Sequence, residues 1–352
     1  MLHCNIKLFT YQADTHNHLS AISHCGHFRG GWQEDDAELA YNFYALRFAA
    51  NIALWPWFLM AGRRSPIHNT KAQGAVMHHR HYMRAVAAVL FAALAGTATW
   101  ASAQNKTQVQ WLGQATTKIT TPGGKVIVID PWMTSNPKTP AAYKHLGSLG
   151  KVDLILVTHG HFDHMADAPA LAKLNNAPIY GPAGLMQTFA ALGLVPAAQA
   201  VRFGKGGTVM PLGDKIKITQ TRAEHSSEVA HKNAATGKDE VHVGGEPAGF
   251  IIEMENGFKI YHMGDTGLFG DMSLIGSYYK PDLVLIPIGG HFVMSPQDAA
   301  VATRDMIKPK YAIPIHYGTI PVLKGTPAEY MAALGNSSTK VYAIDPGQAV
   351  EF

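Results

Sequence analysis

The segment Thr158-His159-Gly160-His161-Phe162-Asp163-His164 places four metal-capable side chains within six positions. Imidazole and carboxylate are the donors that Zn²⁺ and related divalent ions accept. The segment ends a short β-branched run, Asp153-Leu-Ile-Leu-Val-Thr158, that reads as a buried strand. In a tight loop at a strand end, His159 and His161 project to one side, with Asp163 and His164 a short step away. One such loop has too few donors for two ions, so partners are expected downstream, also at strand ends. His225 follows the strand ending Thr219-Gln-Thr-Arg222, Asp265 stands in His262-Met-Gly-Asp265-Thr266, and His316 follows Ala312-Ile-Pro-Ile. Taken singly, a histidine at a strand end is usually a packed or surface residue, and an aspartate after glycine a turn residue. Their joint occurrence after the 158–164 loop points to ligands.

The elements that must hold these residues are legible from Gln108 onward. Strands are expected at Val109–Leu112, Thr117–Thr120, Lys125–Asp130, Asp153–Thr158, Ile216–Thr221, Phe250–Glu253, Phe258–His262, Leu283–Pro287, Tyr311–Ile315 and Val341–Ile344. Helical segments fall around Pro169–Lys173, Leu185–Leu192 and Pro327–Leu334. Ser295-Pro-Gln-Asp298 starts another helix, with Ser as N-cap, Pro at the first helical position and an acidic residue at the third. Short strands with interspersed helices suggest two sheets covered by helices. The stretch 226–249 is polar and glycine-rich and reads as a loop near the metal edge, with His231 and His242 exposed on it.

The 352 residues include 19 His, 29 Lys plus Arg and a formal net charge of +4, a balance that favours metal or proton chemistry over nucleic-acid binding. Only two Cys are present, Cys4 and Cys25, too few for a disulfide framework or a Cys-rich zinc module. No apolar run reaches the roughly 20 residues of a spanning helix, which excludes a polytopic membrane protein. Residues 1–103 differ in kind from the rest and show no sustained periodic pattern. Met77-His-His-Arg-His-Tyr-Met83-Arg84, a short apolar stretch from Ala85 and Ala101-Ser-Ala103 have the order of a secretory leader cut after Ala103. The expected organisation is a non-native or disordered extension over 1–76, a signal peptide over 77–103 and one domain over 104–352, located in the periplasm or secreted. No stable membrane insertion is expected once the leader is removed.

The domain resembles the metallo-β-lactamase superfamily, and within it the small metal-dependent hydrolases that include ascorbate-6-phosphate lactonase-like and uncharacterised bacterial groups. The resemblance rests on Trp111-Leu-Gly, Asp130-Pro-Trp132, the 158–164 loop, Glu224-His225-Ser-Ser227, Gly264-Asp265-Thr-Gly-Leu-Phe269, Pro287-Ile-Gly-Gly-His291-Phe292 and Pro314-Ile-His316-Tyr-Gly318. It implies an α/β fold, the αββα four-layer sandwich, with metals at one edge between the sheets. By motif, His159, His161 and His225 would bind a first metal and Asp163, His164 and His316 a second, with Asp265 bridging. Asp130 would support the metal loop from behind, and His291 would face the site and act on the substrate.

Two divalent ions, Zn²⁺ foremost with Mn²⁺ or Fe²⁺ also suited, would share and activate a water, with Asp163 handling its proton. Such a centre needs no protein nucleophile, and 104–352 has no Cys and no G-x-S-x-G. The expected reaction is hydrolysis of an ester, lactone or amide bond in a small-molecule substrate. A phosphodiesterase on the same centre is the alternative, disfavoured because only Arg202, Arg222 and Arg304 occur in the domain. A non-catalytic periplasmic metal-binding protein is the alternative of another class.

Overall fold

The computed structural model describes residues 106–352. The extension expected over 1–76 and the leader expected over 77–103 lie outside the described residues. Sixteen strands form two seven-stranded sheets and one two-stranded hairpin. The first sheet joins β1 (Gln108–Trp111), β2 (Thr117–Thr120), β3 (Val126–Ile129), β4 (Leu154–Leu156), β5 (Ile179–Pro182) and β6 (Ala200–Phe203), with β16 (Ala349–Glu351) beside β1. The second joins β7 (Thr208–Val209), β8 (Lys217–Arg222), β11 (Ala248–Glu253), β12 (Lys259–His262), β13 (Leu283–Pro287), β14 (Tyr311–Ile315) and β15 (Lys340–Val341). In each sheet antiparallel hairpins on one side give way to parallel strands on the other: β3 to β6 in the first, β12 to β15 in the second.

Alternation along the strands dictates the layers. Ile127 and Ile129 of β3, with Leu154 and Leu156 of β4, face Phe250, Ile252, Leu283, Leu285 and Ile313 of the other sheet. The intervening Val128 and Ile155 face outward and are covered by α2 (Ala168–Asn175) and α3 (Ala183–Ala191) through Leu171, Leu185 and Phe189. On the far side Tyr261, Val284 and Ile286 pack under α4 (Met272–Tyr279), α5 (Pro296–Val301) and α6 (Pro327–Leu334). The order helix, sheet, sheet, helix is the four-layer α/β sandwich that the motifs imply. Helix α5 starts as its sequence demands, with a capping box between Ser295 and Asp298, and runs into a π-helical stretch over Ala302–Ile307.

Several elements depart from the sequence reading. The stretch 226–249 is not an open loop: it folds into β9 (Glu228–Lys232) and β10 (Asp239–Val243), paired antiparallel with Val241 opposite Ala230. Its turn is stabilised by the Asn233 side chain, which accepts from the backbone of Ala235 and Thr236. His231 and His242 are consequently half-buried on this hairpin rather than free in solvent. The strand expected at Val341–Ile344 ends at Val341, and the final strand is β16. Among the described residues no helix is long and apolar enough to cross a membrane.

Candidate metal centre

The chemistry-bearing residues stand at the carboxyl ends of strands, where open α/β sheets place their crevices. His159 follows β4, His225 follows β8, Asp265 follows β12 and His316 follows β14. Asp163 and His164 lie on the single turn α1 (Phe162–Met165), which leaves the strand-end loop. The two sheets thus deliver donors from opposite sides into one cluster.

Three overlapping groups could each hold an ion: His159, His161 and His225; His159, His164 and Asp265; and Asp163, His164 and His316. Within each, the donor atoms lie within 4.8 Å of one another. His161 Nδ1 is 2.9 Å from His159 Nε2 and 3.3 Å from His225 Nε2. Asp265 reaches both sides: Oδ2 is 3.6 Å from His225 Nε2 and 3.0 Å from His316 Nε2, and Oδ1 is 3.2 Å from His164 Nε2. Asp163 Oδ2 lies 3.4 Å from His316 Nε2 and 3.7 Å from His164 Nε2. The seven residues read from sequence as ligands are therefore brought together around one floor. Buried His164 Nε2 and Asp265 Oδ1 face each other at 3.2 Å without hydrogen-bond geometry, and neither has another hydrogen-bond partner. Orphaned buried atoms of this kind cost free energy unless something else satisfies them. Lone-pair donors turned on each other at such distances fit cations between them.

The far sides of these imidazoles are held by partners that set their tautomers. Asp130 is fully buried, and its Oδ2 lies 2.9 Å from His164 Nδ1 and accepts from Thr158 Oγ1 at 2.8 Å. Its Oδ1 takes the Thr158 backbone N–H at 2.8 Å, which ties β3 to the start of the metal loop. With Nδ1 engaged on Asp130, His164 presents Nε2 to the cluster. His161 is oriented in the opposite sense: Glu228 Oε2 lies 2.9 Å from its Nε2, leaving Nδ1 for the cluster. That contact with His161 holds the Glu228 carboxyl below its ordinary value.

Glu228 and Gln114 escaped the sequence reading. Gln114 is buried, and its Nε2 donates to Asp163 Oδ2 at 2.7 Å and lies 2.8 Å from His316 Nε2. Its carbonyl accepts both the Trp111 indole N–H and the His316 backbone N–H, each at 2.9 Å. Gln114, Asp130 and His316 all adopt positive φ, at 51°, 50° and 55°. For residues with a side chain this conformation persists only where neighbours over-determine it, and such residues gather at functional sites.

His291 does not take the place expected for it. The metal cleft is lined by Phe292, while His291 borders a separate concavity with Lys324 and Glu329. Positive φ at both Gly290 and His291 reverses the chain after β13 and swings these neighbours to opposite sides. Its ring stands 4.4 Å from that of Phe292, centroid to centroid.

Two glycines let the backbones close. A Cβ on Gly160 would meet the Glu228 carbonyl and the Val229 side chain at 2.9 Å, so the hairpin can lie on the metal loop only over glycine. Gly264 has φ +62°, and a Cβ there would fall 2.9 Å from both the Ala248 carbonyl and Thr158 Cβ. Gly264→Ala is expected to cost about 1–3 kcal/mol through strain and overpacking. It pushes Asp265 away from Thr158 and His159. Chemical denaturation should show the loss, with weaker metal binding alongside; unchanged values for both would contradict the packing argument.

Charge in the cluster is strongly coupled. Burial and neighbouring His164 hold His159 well below its ordinary value. Burial acts the same way on His164, but Asp265, Asp163 and Asp130 outweigh it and raise that imidazole well above its usual range. His316 is likewise opposed by burial yet raised to about 9, chiefly by Asp265 and Asp163. A cation needs the unprotonated Nε2 of each ring, so uptake by the metal-free protein must expel these protons. Apparent affinity should therefore rise with pH, by up to about tenfold per unit for each proton released, and for the His316 proton the rise ends once pH passes about 9. Competition against a chromophoric chelator across that range checks it, and a flat profile would contradict it.

Comparison with known proteins agrees with this geometry. The Beta-lactamase superfamily domain matches residues 125–317. A UPF0173 metal-dependent hydrolase of Cupriavidus necator is 67% identical over 249 residues, covering 70% of this chain and 86% of the relative. One from a Polaromonas species is 59% identical over 274 residues, covering 77% of this chain and all of the relative. Among solved structures, Igni18, a metallo hydrolase from Ignicoccus hospitalis, is 29% identical with a TM-score of 0.61, covering 70% of this chain and 98% of its own. With its His/Asp cluster at the edge of a four-layer sandwich, the chain belongs to the UPF0173 metal-dependent hydrolases of the metallo-β-lactamase superfamily.

Proposed function

We propose that this chain hydrolyses an ester, lactone or amide bond of a small molecule with the help of two divalent cations. The observation that carries the reading is the convergence of seven nitrogen- and oxygen-bearing side chains, of which His161, Asp163, His225, Asp265 and His316 line an open cleft of about 400 Å³ while His159 and His164 lie buried behind them. His159, His161 and His225 would hold one cation, and Asp163, His164 and His316 the other, with Asp265 between them. The donor set suits Zn²⁺ first, with Mn²⁺ and Fe²⁺ close behind. Bound there, such ions supply Lewis acidity and bring the pKa of water toward neutrality.

The chain's own residues do the rest. Asp163 is the more open of the two cluster carboxylates, its side chain 14% exposed against 3% for Asp265. It takes the proton of the attacking water and returns it to the leaving group. Gln114 steadies Asp163 from behind, and Asp130 keeps His164 turned inward. None of the described residues lining the cleft is Lys or Arg, which weighs against a phosphodiester substrate and against nucleic acid. Export to the periplasm or beyond belongs to the same proposal and rests on the leader pattern of 77–103.

The deciding experiment is metal analysis of the purified protein followed by a panel of esters, lactones, amides and phosphodiesters. Turnover of an acyl compound that disappears on chelation and returns with Zn²⁺ is expected. A protein without bound metal, or one that turns over phosphodiesters alone, would refute the reading.

A further inference from the structure

The upper walls of the cleft differ in kind from its floor. Trp132, Phe162, Val241, Phe292 and Ile320 line it above the donors. Phe162 is 58% exposed, Phe292 52% and Val241 73%. Large apolar side chains left open to water in one continuous patch mark a surface that something apolar covers. Trp132 adds more of the same. Its indole N–H is used on Ser135 Oγ at 2.7 Å, and its ring meets Phe162 edge-on with centroids 5.4 Å apart. The tryptophan therefore offers the cleft carbon surface. The β9–β10 hairpin adds to the same cleft, with paired Ala230 and Val241 both lining it. Among the described residues, the only charged or titratable side chains in the lining are cluster residues and Glu228, which is paired with His161.

We propose that the substrate is uncharged and carries an aryl or medium-length alkyl group, which lies between Phe162 and Trp132 on one side and Phe292 and Val241 on the other. This rests on the hydrolase reading above and narrows it. The bond to be cut must reach the floor, and whatever reaches the floor passes between these side chains. An anionic group away from that bond, such as a sugar phosphate, finds no cation in the lining to receive it and must surrender its hydration against carbon. An apolar group instead gains by leaving water. This separates the chain from a hydrolase of phosphorylated lactones.

Hydroxamic acids provide the test, because they bind divalent metals without being turned over in the assay and their tails report on the walls. Acetohydroxamate, octanohydroxamate and a carboxylate-tailed hydroxamate of succinic acid are titrated calorimetrically into the metal-loaded protein. Octanohydroxamate should bind roughly 10–100-fold tighter than acetohydroxamate, the range expected for burying a few methylenes. The carboxylate tail should bring no gain. In a Phe162→Ala/Phe292→Ala double variant the octanoyl advantage should shrink toward that of the short acid. Both side chains are more than half exposed, so the variant folds, which circular dichroism verifies. Equal binding of the short and long acids, tightest binding of the carboxylate tail, or no hydroxamate binding at all would overturn the proposal. So would an undiminished octanoyl advantage in a double variant that abolishes self-association, which would assign the rim to a contact between copies. A parallel assay with 4-nitrophenyl octanoate, 4-nitrophenyl acetate and bis(4-nitrophenyl) phosphate separates the two claims. If tail preference in binding holds while only the phosphodiester is cleaved, the apolar wall stands and the acyl-hydrolase reading fails.

Discussion

Asp265→Ala should leave a folded protein that has lost its metal and with it about 10³-fold or more in turnover, since Lewis-acid assistance is worth several kcal/mol at 1.4 kcal/mol per decade. The reason lies in position. Asp265 approaches three imidazoles, His164, His225 and His316, from the second sheet, at 3.0 to 3.6 Å. It is the one carboxylate in contact with both halves of the cluster. Its removal breaks the contact between the two sides of the His/Asp cluster and leaves His164 and His316 without the charge that most raises them. The apolar layers contain none of these atoms, so the sheets survive. Metal per chain by plasma emission, with circular dichroism as the control for folding, decides the matter. An alanine variant that keeps its metal and its rate would show that the carboxylate is dispensable.

Asp130→Ala should act on stability and on metal together. Asp130 is wholly buried, accepts three hydrogen bonds or close contacts from Thr158 and His164, and has no access to solvent. Truncation strands the Thr158 amide, leaves the Thr158 hydroxyl only His159 Nδ1 at 3.0 Å, and frees the His164 ring. Losing one partner of such a buried charged pair costs about 3–5 kcal/mol. For a domain of this size the melting temperature should fall by roughly 10 °C. Metal affinity should drop by about 10–100-fold, as for other residues that orient ligating histidines. Asp130→Asn separates the two effects: its amide oxygen can still accept from Thr158 and restores much of the stability. The neutral amide still fails to hold His164 as the carboxylate does, so affinity remains low. Scanning fluorimetry and chelator competition on both variants test this. Wild-type affinity in the asparagine variant would deny Asp130 its orienting role.

The parts of this molecule that were readable from sequence are those governed by local pattern. Ile127 and Ile129 against Val128 already separate an inner from an outer face, and Ser295 with Asp298 already writes a helix start. The 158–164 loop could be read because its donors are adjacent in the chain. The distant donors could be read because each stands just past a strand. What escaped depends on tertiary contacts. Val241 and Val243 stay exposed, so no buried face announced β10. The hairpin is instead pinned from outside, by Thr188 Oγ1 donating to the Val243 carbonyl and by Ser227 donating to that of Gly244. Gln114 follows a glycine like any turn residue, and only the His316 backbone and Asp163 carboxylate reveal its place. The placing of His291 is another matter of tertiary structure. Two successive positive φ angles decide whether it or Phe292 enters the cleft, and side-chain type carries no record of that choice.

The first sheet is closed by the last-made of its strands. β16 pairs with β1, and Thr107 and Phe352 exchange both backbone hydrogen bonds at 2.9 Å. During synthesis β1 must therefore wait, one flank bare, while every other strand is made. An unsatisfied flank of this sort invites pairing with a neighbouring chain. Deleting β16 (Ala349–Glu351) should unseat the opening strand almost as effectively as deleting β1 itself.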